Sequence, residues 1–534
     1  MKQKISVIAL LSLLLGLVMQ TMVACAPVSQ ETSELWVVTE ESTSDGMNYQ
    51  AEEAAKIFQQ EHPGVTVKLE ILPTDATERS IYLKQLRTQI MAGNGPDVYL
   101  LPTGNELITD SRMKQNTDCI TVEPLFSDVE QAMYAGMFWD LQDYYEADTA
   151  LNTEGLQQDV MDAGVVDGAR YVLPLRYTMP VLLVNRDSEI TRTLDAVGLS
   201  WDDGISDLAA YALDVEDTML ATGLQLPEET SVFSMLYDYQ KGKNLITKDE
   251  ISEYMRLYQQ WYALSNAAKQ QMIETVQEET VEFLNEEFHD YFSDVLEEFG
   301  LRFSIGSFNS VSQYVISDIY WIQSGLPVYS TSLSDVIESA VLAEALQQQI
   351  DMYPLRRNDG SVGAEITYFG AISASCTDAA LAYDYLRLFL TEDFQWDGIR
   401  PRADRSRDDA NYKASEVQSY GFVEDSWPVR AIGASSHLYS TLQYQSTYIT
   451  SGISETKARL GQVKSTMANL TDVDLPILNI DIDEARFPIY LAEEETLAYA
   501  LSQLNNADGT PTDVDIDVLA EKVYQNLWWH LAEG

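Results

Sequence analysis

The sequence predicts an α/β protein with more than one lobe. At 534 residues, the chain is longer than one hydrophobic core normally serves. Strand and helix patterns alternate between residues 35 and 101. The run GNGPDVYLL (93–101) joins a helix-ending turn to a short apolar segment. Such a segment is typical of a strand that is buried on both faces.

The alternation starts with an apolar strand, Leu35–Val38, followed by a polar run. Alanines spaced along one face, together with Phe58, then predict a helix. The stretch VTVKLEIL (65–72) alternates apolar and polar residues, which predicts a half-buried strand. In this strand we expect Ile71 to lie on the apolar side.

A second helix follows, with Leu83 and Leu86 on its apolar face, and leads into the buried strand Val98–Leu101. Strand, helix, strand, helix and strand in this order predict parallel pairing. Ligands bind beyond the carboxyl ends of strands in such sheets. We therefore expect residues 40–45 and 102–106 to lie along one rim.

The rest of the chain adds further strands and helices. Residues 171–185 are rich in strand-forming residues, and residues 366–372 form another apolar strand before a helix at 377–391. Thr247 and Glu250 form a capping box at the start of a helix. The tail is predicted to be helical apart from a polar loop at 505–517.

The charge excludes some classes of partner. The net charge of −51 repels nucleic acid, because binding of nucleic acid depends on neutralising phosphates. It also repels anionic lipid surfaces. The composition, with 46% hydrophobic and 22% charged residues, is that of a globular protein.

The first residues predict export. Lys2 and Lys4 precede an apolar run, Ile5–Met19, and small residues then lead into Cys25. This order resembles a bacterial lipobox, so we expect residues 1–24 to be a lipoprotein signal peptide. Cys25 would carry the lipid and residues 25–34 would form a tether, which places the protein at the cell membrane, facing the exterior or the periplasm. An ordinary signal peptide is the alternative.

Most catalytic motifs are absent from the sequence. It contains no P-loop, GxGxxG, HExxH or GxSxG pattern. Its four histidines are far apart, so neither a metal site nor a cofactor is expected. Spacing leaves open whether Cys119 and Cys376 pair. Abundant carboxylates leave a glycoside hydrolase as an alternative.

Several stretches together resemble one family. FQQEHPGVTVKLEI, LRTQIMAGNGPDVYLL and YVLPLRYTMPVLLVNRDSEI, followed by residues 366–395, are similar to the extracellular solute-binding proteins of ABC importers. The resemblance is to family 1, the maltose-binding-protein-like group, and specifically to its lipoprotein type. It covers most of residues 35–395 and is looser beyond them.

This resemblance implies a class II periplasmic-binding-protein-like fold, with a ligand cleft between two α/β lobes. The N-terminal lobe would hold residues 35–177 plus 359–395. The C-terminal α/β and helical lobe would hold residues 180–352 plus 396–534.

The implied function is capture of a small solute and its delivery to the permease subunits of an ABC transporter. The protein would be a monomer without enzymatic activity or cofactor, and its solute a sugar or oligosaccharide. The alternatives are a receptor for a peptide, polyol or sugar phosphate, an exported glycoside hydrolase, and a purely structural lipoprotein.

The expected ligand contacts lie at strand ends, at the crossover between lobes and in two second-lobe segments. The tryptophan and aspartate of the maltodextrin binders would fall near Leu101 and Gly104, so neither is retained. A maltodextrin specificity is therefore not implied. The candidate residues are Glu40, Glu41, Thr103, Asn105, Glu106, Arg176, Tyr177, Thr178, Tyr237, Tyr239, Phe308, Asn309 and Ser310.

Overall fold

Two separate hydrophobic cores organise the part of the chain that the structure, a computed structural model, describes. The first core surrounds a large mixed sheet, and the second is mostly helical with a small sheet. We call the two parts the first and the second lobe. The described residues are 33–40, 47–103, 106–108, 119–186, 188–233, 236–283, 326–333, 350–395, 427–430 and 481–533.

The strands are numbered in chain order. They are β1 (Ser33–Glu40), β2 (Val65–Leu72), β3 (Val98–Pro102), β4 (Glu106–Ile108), β5 (Cys119–Thr121), β6 (Val165–Val166), β7 (Ala169–Arg170), β8 (Val172–Thr178), β9 (Pro180–Asn185), β10 (Tyr237–Asp238), β11 (Lys243–Asn244), β12 (Val328–Ser332), β13 (Ile350–Pro354), β14 (Gly363–Ile372), β15 (Trp427–Pro428) and β16 (Glu484–Arg486).

The α-helices are named by their residues. They are Met47–Glu61, Ala76–Met91, Val129–Tyr134, Gln142–Ala147, Gln158–Met161, Glu189–Val197, Ile205–Asp214, Thr218–Gly223, Lys248–Phe283, Ala379–Leu386, Glu392–Gln395, Leu497–Ser502 and Ile516–Glu533.

The sheet of the first lobe has the strand order β15-β8-β14-β3-β1-β2, with β16 paired to β14. β1 pairs in parallel with both β2 and β3, which confirms the predicted parallel unit. β14 runs antiparallel to β3 and β8, so the complete sheet is mixed.

The GNGPD turn aligns three strands of this sheet. The Asp97 amide donates to the Trp36 carbonyl at 2.9 Å, and the Asp97 carboxylate accepts from the Trp36 amide at 2.9 Å. The Asp97 carbonyl accepts from the Ser373 amide at 2.9 Å. Asp97 therefore fixes the start of β3 against β1 through its amide and carboxylate, and against the residue after β14 through its backbone carbonyl. β3 itself is buried throughout residues 98–101.

The edge strand β2 departs from the predicted alternation at its end. Ile71 is 39% exposed and Leu72 only 1%, so the expectation that Ile71 lies on the apolar side is wrong. The pattern shifts by one residue at Glu70. The Tyr82 hydroxyl donates to the Glu70 carboxylate from the neighbouring helix, which holds this polar side chain on the covered face.

The second lobe packs helices around an antiparallel sheet of order β12-β9-β13. Its longest helix, Lys248–Phe283, begins at the predicted capping box. The Thr247 amide donates to the Glu250 carboxylate at 2.7 Å, and the Glu250 amide donates to the Thr247 hydroxyl at 3.3 Å. The helix Ile516–Glu533 packs beside it and closes the core.

Three segments of the described chain cross between the lobes. Met179 joins β8 to β9, residues 355–362 lead back to β14, and residues 487–489 lead out again. The second crossing is tied to the segment just before the third, because the Val362 amide donates to the Asp483 carboxylate at 2.8 Å. Arg357 also donates to the carboxylate of Glu484.

The tail contributes to both cores. Val429, Ile482 and Phe487 belong to the first core, although residues 396–534 are predicted to lie in the second lobe. The difference arises because β15 and β16 join the large sheet beside β8 and β14. These strands have two and three residues, which is too short for a periodic pattern to reveal.

Two further findings concern the described residues. No helix among them is long and apolar enough to cross a membrane. Cys376 is a free thiol in the first core, so it is not paired with Cys119. Burial raises the pKa of the Cys376 thiol to about 12.

Candidate functional site

The candidate site lies where the first-lobe sheet meets the crossings. The register pairs Tyr368 of β14 with both Pro102 and Arg176, and pairs Glu365 with Thr178. The carboxyl ends of β3 and β8 therefore lie at the same edge of the sheet. The structure brings the predicted residues Thr103, Arg176, Tyr177 and Thr178 together along this rim.

Glu40 is the last residue of β1, and its buried carboxylate forms hydrogen bonds within the first lobe. Arg79 donates to both of its oxygens, with 2.9 Å between Nη1 and Oε2. The same guanidinium also donates to the carbonyl of Glu123 at 2.6 Å and that of Pro73 at 2.9 Å. Burial raises the pKa of the Glu40 carboxyl, and Arg79 opposes that rise. These contacts assign Glu40 a structural role, so we omit it from the proposed ligand contacts.

Thr103 and Glu106 flank the loop after β3. Thr103 is buried, its hydroxyl donates to the Ile366 carbonyl, and its amide donates to the Thr367 carbonyl at 2.9 Å. Thr103 thereby anchors the loop to β14. Glu106 lies in β4, opposite Thr121 of β5.

The crossover residues differ in how far a solute could reach them. Arg176 and Tyr177 are buried, and the Tyr177 ring is part of the first core. Burial raises the pKa of the Tyr177 hydroxyl. Thr178 is half-buried at the strand end. Of these three residues, Thr178 is the most accessible.

Of the two predicted second-lobe tyrosines, Tyr239 contacts the first lobe and Tyr237 packs against Tyr239. The rings of Tyr237 and Tyr239 meet edge to face with centroids 4.9 Å apart. Tyr239 also stacks on Tyr134 of the first lobe, with centroids 5.2 Å apart and an interplanar angle of 19°. The Tyr239 hydroxyl donates to the Asp128 carboxylate. An aromatic cluster thus joins the lobes.

Carboxylates surround this cluster. Asp128 caps the helix Val129–Tyr134 through a hydrogen bond from the Gln131 amide at 2.8 Å. Burial raises the pKa of the Glu130 carboxyl to about 7; Asp128 and Glu484 add to the rise and Arg486 opposes it.

The junction was only partly predictable. Sequence reasoning missed Asp128, Glu130 and Tyr134, because they follow no strand and the rim argument examines only strand ends. The signal that could have found them is Asp128 three residues before Gln131, a spacing typical of a helix start.

Other predictions fall outside the described residues. Glu41, Asn105, Phe308, Asn309, Ser310 and the lipidation site Cys25 belong to this group. Within the described ranges, no group of three or more histidine, cysteine, aspartate or glutamate side chains is placed to hold a metal ion.

The chain is similar to several solved structures at low identity. An extracellular solute-binding protein family 1 member from Alicyclobacillus acidocaldarius is 13% identical, with a TM-score of 0.42 over 94% of this chain and 100% of that one. A Thermotoga lettingae solute-binding protein bound to α-D-tagatose is 12% identical, with a TM-score of 0.40 over 93% and 100%.

A cyclic α-maltosyl-1,6-maltose binding protein from Arthrobacter globiformis is 14% identical, with a TM-score of 0.38 over 94% of this chain and 99% of that one. No curated protein matches the chain.

A family model gives the assignment. The model described as bacterial extracellular solute-binding protein matches residues 40–395, which is more than half of the chain. The matched span contains β2, β3 and the β8–β9 crossover, the elements that carry the sequence resemblance. The chain therefore belongs to the bacterial extracellular solute-binding protein family.

Proposed function

We propose that the chain captures a saccharide between its two lobes and delivers it to the permease of an ABC importer. The observation that carries this proposal is the aromatic cluster at the lobe junction, where Tyr134 is 37% exposed beside several carboxylates. Lipid attachment at Cys25 would hold the receptor at the membrane, facing the exterior or the periplasm.

The chemistry of the junction suits a neutral polyhydroxylated solute. Aromatic rings offer flat apolar faces to the apolar faces of sugar rings. Carboxylates such as Glu130 accept hydrogen bonds from hydroxyl groups, and the Thr178 hydroxyl at the rim can donate or accept. The net charge of −51 disfavours highly anionic solutes.

The proposed action is binding without turnover. Closure of two lobes around a solute is a hinge motion between two states, and solute binding favours the closed state. The permease would then recognise the closed form. A glycoside hydrolase would instead convert its saccharide to products, which chromatography of the binding mixture detects.

Isothermal titration calorimetry against saccharides, short peptides, polyols and sugar phosphates tests the proposal. We expect at least one saccharide to bind with a Kd below millimolar and to remain intact. Tyr134→Ala should weaken that binding by about tenfold, as expected for loss of one aromatic contact. The matched control is Tyr144→Ala, which removes a ring stacked on Tyr383 within the first lobe.

The same titrations separate the alternatives. Binding of a peptide, and of no saccharide, would overturn the saccharide assignment while leaving the receptor assignment intact. Equal weakening by Tyr134→Ala and Tyr144→Ala would show that the junction ring makes no specific contact.

A further inference from the structure

Arg357, in the second crossing, reaches from the second lobe into the sheet of the first. The chain on either side of it is held by the second lobe: Leu355 lies in the second core, and the Asn358 amide donates to the carbonyl of the second-core residue Val232 at 3.3 Å. The Arg357 side chain, however, donates to the carboxylate of Glu484 in β16. Arg357 is 4% exposed, so this ion pair between the lobes is shielded from water.

A glycine makes room for the Arg357 side chain. Gly363 is the first residue of β14 and lies opposite Glu484 in the register of β14 and β16. A Cβ atom at Gly363 would lie 2.1 Å from Cζ of Arg357. The guanidinium therefore lies against the backbone at the start of β14, in space that any side chain at this position would occupy.

Arg486 makes the reverse connection, from the first lobe to the second. It lies in β16, which pairs with β14 in the first-lobe sheet. Its Nη2 donates to the Thr230 carbonyl at 2.8 Å, and Thr230 begins a short 3₁₀ turn that ends at Val232. Its Nε lies 3.9 Å from the carboxylate of Glu365 in β14. One guanidinium thus contacts both lobes.

The two arginines and their two carboxylates belong to one cluster. Burial lowers the pKa of the Arg486 guanidinium; Glu365 and Glu484 oppose the fall, and Arg357 adds to it. Separating a buried ion pair is costly, because each partner is left as an uncompensated charge in a poorly solvated place. This side of the lobe junction therefore resists opening.

We propose that Arg357, Glu365, Glu484 and Arg486 form a clamp that keeps this side of the junction closed, so that the lobes rotate about it. The second crossing and β16 then move as one unit. The clamp restricts the relative orientations of the lobes and still allows hinge closure around a solute. It concerns the motion of the proposed receptor and not the identity of its solute.

Distances between spin labels on the two lobes test the clamp without any solute. Cysteines replace Lys84 and Glu253, exposed helix residues of the first and second lobe. The full chain also carries Cys25→Ser and Cys119→Ser, so that these two native cysteines take up no label. Pulsed electron paramagnetic resonance then measures the distribution of distances between the lobes.

Two variants break the same contact by different means. In Gly363→Ala, the added Cβ takes the space of the Arg357 guanidinium, so that the side chain must leave Glu484 although every charge remains. The second variant combines Arg357→Met with Glu484→Gln. It removes both charges of the pair, so neither partner is left without a counter-ion.

The matched control is Gly370→Ala, in the same strand as Gly363. A Cβ atom at Gly370 would lie 2.2 Å from Cδ1 of Leu386, a residue of the first core. This substitution also displaces a side chain, but it does so within one lobe and leaves the clamp intact.

We expect the distance distribution to become about twofold wider in both clamp variants, because lobes without a fixed contact sample more orientations. Gly370→Ala should keep the width of the unsubstituted protein. An unchanged width in either clamp variant would overturn the proposal, and so would equal broadening in Gly370→Ala. Because no solute is present, failure of the clamp leaves the saccharide assignment untouched.

Discussion

Arg79 and Glu40 form a buried two-pronged ion pair at the carboxyl end of β1, with 2.9 Å between Nη1 and Oε2. The pair joins the first strand to the second helix of the first lobe, and the remaining Arg79 donors reach the carbonyls of Pro73 and Glu123. Glu40, although it lies at the rim of the sheet, therefore stabilises the first lobe.

Arg79→Met should strongly destabilise the first lobe. It leaves the Glu40 carboxylate buried without its counter-ion, which costs about 3–5 kcal/mol of unfolding free energy. Chemical denaturation measures this loss. The matched control is Lys56→Met, which breaks an exposed pair with Glu53 and should cost less than about 1 kcal/mol. Similar losses for both variants would contradict a structural role for the Arg79–Glu40 pair.

Glu130 should make stability depend on pH. Its pKa is about 7 in the folded protein, against an ordinary value of 4.5. The cost of ionising it in the fold is absent below pH 4.5, grows between pH 4.5 and 7, and is constant above pH 7. Glu130→Gln removes this cost, so the variant should gain about 3 kcal/mol relative to the unsubstituted protein over that interval.

Thermal denaturation at several pH values measures the Glu130 effect. Glu253→Gln, at an exposed position of the helix Lys248–Phe283, serves as the control and should leave the profile unchanged. A Glu130→Gln profile parallel to that of the unsubstituted protein would show that this carboxyl has the same pKa in both states.

Gly223→Ala should weaken the second lobe. A Cβ atom at this position would lie 2.0 Å from the Val328 carbonyl oxygen, so the helix Thr218–Gly223 must move away from β12. Such overpacking costs about 1–3 kcal/mol. Gly168→Ala is the control, because a Cβ there meets no atom within 4 Å and only the positive φ of 82° opposes it. Unfolding curves in denaturant should show the larger loss for Gly223→Ala.

Cys25 should carry the membrane anchor. Metabolic labelling with an alkyne fatty acid should mark the unsubstituted protein and place it in the membrane fraction. Cys25→Ala should lose the label, because the thiol that accepts the lipid is gone. Cys119→Ser, which changes a cysteine outside the lipobox, should keep it. Label retained by Cys25→Ala would contradict lipidation at this residue.

Periodic patterns predicted the first part of the fold. Apolar alternation in β2 and the continuous apolar run of β3 are local properties, and the helices between them carry their own end signals. The order of these elements implies parallel pairing, which the structure confirms for β1, β2 and β3. The position of β16 was not predictable, because a three-residue strand acquires its place from a partner far away in sequence.

The candidate site was harder to predict for the same reason. Strand ends identify the rim, and Thr103 and Thr178 do lie on it. Sequence does not show which polar side chains already have hydrogen-bond partners within the protein. Glu40 was therefore predicted to contact the ligand, although Arg79, 39 residues away, binds its carboxylate. The contact between Asp128 and Tyr239 spans 111 residues and arises only when two lobes meet.

The central claim is that a saccharide is held between the two lobes. Hydrogen–deuterium exchange with and without a saturating saccharide tests it most directly. We predict slower exchange in both the helix Val129–Tyr134 and residues 236–240, one segment from each lobe, with no change in the helix Ala76–Met91. Protection confined to a single lobe, or protection of neither junction segment, would contradict the claim.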